Sequence, residues 1–232
     1  MKTIGLLGGM SWESTQSYYQ AINQGVKAHK GGLHSAKIAL YSVDFADIER
    51  LQHQGDWSQT AVILGQAAQA VEAAGADFLL ICTNTMHKVA AQIQSQIHIP
   101  LLHIADATAM ALQADGITKV GLLGTRFTMA QDFYKNRLIE QFGIDVLVPS
   151  DAEQTIVHDV IYQELCLGNI LPQSKAQYLA IIEKLYAQGA QAVILGCTEI
   201  ALLVQQADTH VPLYDTTAIH AAQAVSWALE QA

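Results

Sequence analysis

Three adjacent side chains could do acid–base chemistry: the thiol of Cys197, the hydroxyl of Thr198 and the carboxylate of Glu199. They follow the apolar run Val193-Ile194-Leu195 and a glycine, Gly196, and they precede Ile200. Such a run reads as a buried strand of a parallel sheet; Gly196 lets the backbone turn sharply and a helix can open beyond it. In open α/β sheets reactive groups gather at the carboxyl ends of strands, so this thiol sits where chemistry is usually done. A free cysteine is otherwise most often inert packing.

A second copy of the arrangement gives the first its weight. Leu79-Leu80-Ile81-Cys82 runs into Thr83-Asn84-Thr85-Met86-His87. Upstream of each copy lies a glycine-rich strand end, Gly5-Leu6-Leu7-Gly8-Gly9 and Gly121-Leu122-Leu123-Gly124-Thr125. Downstream of each lies a proline followed by leucine, at Pro100 and Pro212. Gly5 to Thr83 is 78 positions and Gly121 to Cys197 is 76, while Thr83 to Pro100 is 17 and Cys197 to Pro212 is 15. Repeated landmarks in a fixed order point to an internal duplication. Thr83-Asn84-Thr85 then falls on Cys197-Thr198-Glu199, and two equivalent strand ends are expected to face each other across a cleft.

The elements that must position these groups follow from periodicity. Strands are predicted at 3–9, 37–43, 77–82, 119–123, 144–148 and 191–195. Helices are predicted from Ser11 (or Ser14 as N-cap) to Lys27, Phe45 to Gln54, Thr60 to Ala74, after Met86, at 128–142, around 153–166 and from Gln173 to Ala187. Alternating strands and helices with short connections imply parallel βαβ units, an α/β fold of two pseudo-symmetric domains, each a mainly parallel sheet flanked by helices. The prolines mark crossings between the halves: residues 1–100 completed by 215–232 form the first domain, and 101–214 the second.

Composition narrows the function. With 232 residues, 51% hydrophobic and 14% charged, the chain has the apolar content of sheets covered on both faces. A net charge of −9 argues against nucleic acid and against an anionic membrane surface. Lys2 precedes only a short apolar run before Trp12-Glu13-Ser14, too short for a signal peptide, and no run approaches the roughly 20 residues of a membrane helix. Three cysteines, Cys82, Cys166 and Cys197, without scaffold spacing fit a reducing cytoplasm. Neither a phosphate loop nor a dinucleotide fingerprint is present, nor H-E-x-x-H or paired Cys/His spacing, so no cofactor or metal is expected. There is no G-x-S-x-G elbow. The remaining groups are the thiol, the hydroxyls of Thr83, Thr85, Thr125 and Thr198, the amide of Asn84 and glycine-rich backbone. They suit a small polar molecule held by its carboxylates.

Cys82-Thr83-Asn84-Thr85-Met86-His87 and Gly196-Cys197-Thr198-Glu199 resemble the two signatures of the aspartate/glutamate racemase family. Gly5-Leu6-Leu7-Gly8-Gly9-Met10-Ser11-Trp12 and Ile104-Ala105-Asp106-Ala107-Thr108 match as well. The resemblance spans essentially the whole chain and is nearest to the enterobacterial, broad-specificity branch. It implies an inter-domain cleft, a homodimer, and racemisation of aspartate or glutamate without pyridoxal phosphate, by proton transfer between two bases. It also implies Cys197 as the base acting on the L-enantiomer, and substrate contacts from Met10, Gln52, Asn84, Thr85, Thr125, Thr198 and Glu199.

The chain departs from the family pattern where most members carry the first cysteine. That position is Thr83, with Cys82 one residue earlier, and strand alternation turns Cys82 to the opposite face. A hydroxyl is a poor base but can donate or relay a proton, so an asymmetric pair of Cys197 and Thr83 is expected. Arg50 is a candidate for a distal carboxylate and an exposed helix arginine otherwise. Cys166 stands where many relatives have a lysine, and it and His87 read as structural. Helix N–H groups after Cys197 are expected to help form its thiolate. A maleate isomerase or decarboxylase-like enzyme of the same superfamily, or a decayed amino-acid-binding protein, are the alternatives.

Overall fold

A computed structural model describes residues 1–230. In chain order its elements are β1 (Ile4–Gly8), α1 (Trp12–Lys30), β2 (Ile38–Ser42), α2 (Phe45–Gln54), α3 (Trp57–Ala73), β3 (Phe78–Ile81), α4 (Ala90–Gln94), α5 (Ile104–Ala114), β4 (Lys119–Gly124), α6 (Arg126–Ala130), α7 (Asp132–Asn136), β5 (Asp145–Leu147), α8 (Asp151–Gln163), α9 (Pro172–Ala187), β6 (Ala192–Gly196), α10 (Ile200–Leu203), β7 (Leu213–Asp215) and α11 (Thr216–Leu229). Two units emerge: Met1–Ile104 with the chain from His220 onward, and Ala105–Ile219.

The first unit is built on a parallel sheet of order β2-β1-β3. Alternation along its strands divides the side chains between two apolar layers. Leu7, Leu79 and Ile81 join Leu64, Val71 and Ile93 on one face. Ile4, Leu6, Phe78, Leu80 and Cys82 join Tyr18, Ile22 and Val26 of α1 and Ala221, Ala224 and Val225 of α11 on the other. The last helix thus completes the unit that the chain began. Gly25 permits the approach of α11, since a Cβ there would lie 2.9 Å from Val225 Cγ2. Ser11, not Ser14, caps α1, accepting from the Ser14 N–H at 3.3 Å, a contact of about 1 kcal/mol. The freed Ser14 hydroxyl donates to the Cys82 carbonyl at 3.0 Å.

The second unit has four parallel strands in the order β5-β4-β6-β7. Leu123, Val193 and Leu195 pack with α8, α9 and α10 through Val157, Ile161, Ile182, Leu185 and Ile200. On α5, Asp106 receives a two-pronged hydrogen bond from Arg137, of which the Nη2–Oδ2 arm is 2.8 Å. The duplication reappears in the backbone. The Leu79 N–H donates to the Pro100 carbonyl at 2.9 Å, and the Val193 N–H donates to the Pro212 carbonyl at 2.8 Å. In the first unit this contact stops at a single bridge, Leu79 with Leu101; in the second it grows into β7.

Three expectations are corrected. The helix predicted over 128–142 is broken into α6, α7 and a π-helical turn Arg137–Gln141, because Gln131 is extended (φ −88°, ψ 155°). The helix around 153–166 ends at Gln163, followed by a 3₁₀ turn Leu165–Leu167 closed by Gly168 in the left-handed region. The sharp turn expected at Gly196 falls after it. Gly196 is the last residue of β6, and a Cβ there would sit 2.7 Å from the Leu123 carbonyl oxygen. Its lack of a side chain lets β4 and β6 run side by side to their ends.

Candidate active site

In the second unit, β4 and β6 end in register, Gly124 opposite Gly196. The residues that follow, Thr125 and Cys197, therefore leave neighbouring strands at the same level. Thr125 is buried and caps α6, its hydroxyl accepting from the Thr128 N–H at 3.3 Å. Cys197, Thr198 and Glu199 form the turn between β6 and α10, closed by the Ile200 N–H on the Cys197 carbonyl at 3.1 Å.

The Glu199 carboxylate is the centre of this turn. It is buried, and one oxygen accepts from both the Cys197 thiol at 3.0 Å and the Thr198 hydroxyl at 2.6 Å. Burial pushes the Cys197 thiol up from its ordinary range, the Glu199 charge pushes it further, and nearby Cys166 and the hydrogen bond to the carboxylate act in the same direction. The Glu199 backbone N–H favours the thiolate but is outweighed. The expected help from helix N–H groups is thus present and insufficient: Cys197 rests as a thiol with its proton aimed at a carboxylate. Cys166 lies in the 3₁₀ turn, half-buried against the same apolar core. Its neighbour Glu164 accepts from the Ser174 hydroxyl at 2.6 Å.

In the first unit, β3 ends at Ile81. Cys82 keeps the parity of Phe78 and Leu80 and is wholly buried in the α1/α11 layer, where desolvation raises its pKa far above that of a free thiol. Thr83 is partly exposed, whereas Asn84 and Thr85 beyond it are buried at the start of a 3₁₀ turn Thr85–Val89. His87 in that turn spans the segment: its Nδ1 meets the Thr83 carbonyl at 2.8 Å and its Nε2 accepts from the Ile104 N–H at 3.2 Å. Met10, just beyond β1, is buried with Ile48, Ile81 and Met86 in one apolar layer. Gln52 is buried on α2. Arg50 of the same helix is exposed and paired with Asp47 at 3.3 Å. Gly9 has φ +92°, and a Cβ there would fall 2.2 Å from the Val43 carbonyl oxygen, so only glycine lets the β1 end pass β2.

Each half-site was legible as a strand end, whereas two connections within them were not. Glu199 is legible as a candidate acid–base and substrate-contacting group, but not as the acceptor of the Cys197 thiol's hydrogen bond. The four-residue step from Thr83 to His87 is the available signal for a ring reaching back to a carbonyl, as side chains do one turn on. Among the described residues no group of three or more His, Cys, Asp and Glu is gathered as metal ligands would be, and no helix is long and apolar enough to cross a membrane.

Parallel sheets of one plan, each ending in small polar groups, and one cysteine set against a carboxylate define an α/β protein with a candidate acid–base centre. Residues 7–224 match the family described as Asp/Glu/Hydantoin racemase, and the chain belongs to that family. Its fold is similar to that of a Yersinia pestis protein provisionally described as an Asp/Glu racemase (56% identity, TM-score 0.93, 99% of this chain and 100% of that one). It is also similar to an aspartate racemase homologue from Pyrococcus horikoshii OT3 (35% identity, TM-score 0.85, 99% and 100%). The broad specificity amino-acid racemase RacX of Bacillus subtilis (strain 168) is 25% identical over 229 residues, 96% of each chain. The named racemases among these relatives are isomerases, the enzyme class to which the family assigns this chain.

Proposed function

We propose that this protein racemises a small amino acid, aspartate or glutamate first, by moving the α-proton without pyridoxal phosphate. The observation that carries the reading is the Cys197 thiol held on Glu199 at the end of a buried parallel strand, in a chain of the racemase family. The α-proton is a weak acid, so its removal needs a strong base and stabilisation of the charge left behind. Cys197 becomes that base by passing its proton to Glu199. The substrate ammonium, drawn close, favours the thiolate and so offsets the burial and the Glu199 charge that oppose it. The thiolate then takes the α-proton of the L-enantiomer, and the carbanion is reprotonated on its other face.

Thr83 occupies the position opposite Cys197 in this reading and donates or relays the second proton. Asn84, Thr85, Thr125 and Thr198 hold the carboxylates by hydrogen bonds, and Met10 and Gln52 complete the substrate contacts. The protein acts as a cytoplasmic homodimer supplying D-amino acids. Chiral chromatography of each L-amino acid after incubation with the enzyme tests the substrate class. Formation of the D-form from L-aspartate or L-glutamate ahead of neutral amino acids is expected; a preference for neutral side chains would overturn the acidic assignment, and no D-product from any would overturn the activity.

A further inference from the structure

His87 carries a pair of hydrogen bonds that no assigned role uses. The Thr83 carbonyl has no proton to give, so Nδ1, 2.8 Å from it, is the donor. The Ile104 N–H donates to Nε2 at 3.2 Å, so that nitrogen is bare. Donation from one nitrogen and acceptance at the other fix the imidazole as the neutral Nδ1–H tautomer. The ring is buried, packed edge-on to His103 with centroids 4.4 Å apart, and His103 is buried as well. A second buried imidazole holds the same connection: His220 Nε2 donates to the Leu102 carbonyl at 2.9 Å, and its Nδ1 meets the Tyr18 hydroxyl at 2.8 Å. Two rings thus pin residues 102 and 104, and one of them also pins the backbone of Thr83.

We propose that His87 is a positioning residue whose Nδ1–H, by holding the Thr83 carbonyl, fixes where the Thr83 hydroxyl meets the substrate. The inference rests on the racemase reading and adds to it the residue that sets the weaker of the two proton-transfer groups. A threonine two residues beyond a strand end has no ladder bond to fix it, and proton transfer is steep in distance. The His87–Thr83 bond replaces that missing restraint.

Two substitutions separate the ring's two bonds. The Asn amide reaches the place of Nδ1 and the Gln amide that of Nε2. His87→Asn therefore keeps a donor for Thr83 while His87→Gln keeps only an acceptor for Ile104. Saturating racemisation is expected to fall about tenfold or more in His87→Gln with KM changed far less. In His87→Asn it is expected to stay within about threefold of wild type. Deuterium should still enter the L-substrate pool of His87→Gln, because Cys197 is intact, so that exchange without inversion rises relative to racemisation. Equal kcat in wild type and both folded variants, or equal losses in both, would overturn the proposal. Nitrogen-15 NMR of the wild-type histidines provides a test that needs no variant: the Nδ1–H tautomer at His87 supports the proposal and the Nε2–H tautomer overturns it. Wild-type protein that exchanges no α-proton would sink the racemase reading itself, an outcome distinct from either.

Discussion

The Cys197 thiol donates to the Glu199 carboxylate across 3.0 Å, from a position two residues earlier in the same turn. The thiol and the carboxylate that accepts its hydrogen bond are thus supplied by one short segment between β6 and α10. The carboxylate acts on the thiol twice, in the same direction. It opposes the thiolate as a neighbouring charge, and by accepting the thiol's hydrogen bond it favours the protonated form.

That double role predicts a shift in thiol reactivity. Alkylation of Cys197 by iodoacetamide, followed by peptide mass spectrometry, should rise with pH and reach its midpoint above the value of about 8.5 for a free thiol. In Glu199→Gln the carboxylate charge is gone, so the midpoint should move to lower pH. A midpoint unmoved or moved upward would show that Glu199 does not govern the thiol.

Cys197→Ser keeps the shape of the side chain and loses its acidity. Turnover should fall by about a thousandfold or more, while circular dichroism stays unchanged. Near-normal activity in this variant would remove Cys197 from the chemistry.

Thr83→Cys places a thiol where the first half of the chain lacks one. Saturating rates from D-aspartate or D-glutamate should rise by more than those from the L-forms. The comparison must use kcat, because L and D forms have equal free energy and the Haldane relation therefore makes their kcat/KM values equal. Unchanged exchange from both enantiomers would show that Thr83 does not meet the substrate.

Cys82 is wholly buried in the α1/α11 layer, so Cys82→Ala should keep its activity and lose about 1–2 kcal/mol of stability to the cavity. Its pKa is raised on folding, so its contribution is fully present below the unfolded thiol value of about 8.5 and is lost as pH climbs above it. The slope is at most about 1.4 kcal/mol per pH unit for one group. Denaturant titrations between pH 7 and 10 should show this alkaline loss in the wild type and a shallower one in Cys82→Ala. Loss of activity in Cys82→Ala would instead make Cys82 the second base.

The sequence announced strand ends better than what lies beyond them. β1, β3, β6 and, after Lys119, β4 are continuous apolar runs buried on both faces, which periodicity finds easily. β7 is three half-buried residues at a sheet edge and reads as loop. The break at Gln131 carries no glycine or proline to announce it. Gly196 looks like a turn residue, but its reason is the 2.7 Å that a Cβ would leave to the Leu123 carbonyl, a tertiary distance. The thiol–carboxylate pair likewise depends on how Cys197-Thr198-Glu199 folds back on itself, which composition does not encode.

Solvent deuterium at the α-carbon is the most direct measure of the central claim. Wild-type enzyme in heavy water, with L-aspartate or L-glutamate followed by proton NMR and optical rotation, should lose the α-proton signal as optical activity decays toward zero. Tight binding of either amino acid with a persistent α-proton signal and constant rotation, at high enzyme concentration, would contradict the account and leave a binding protein in its place.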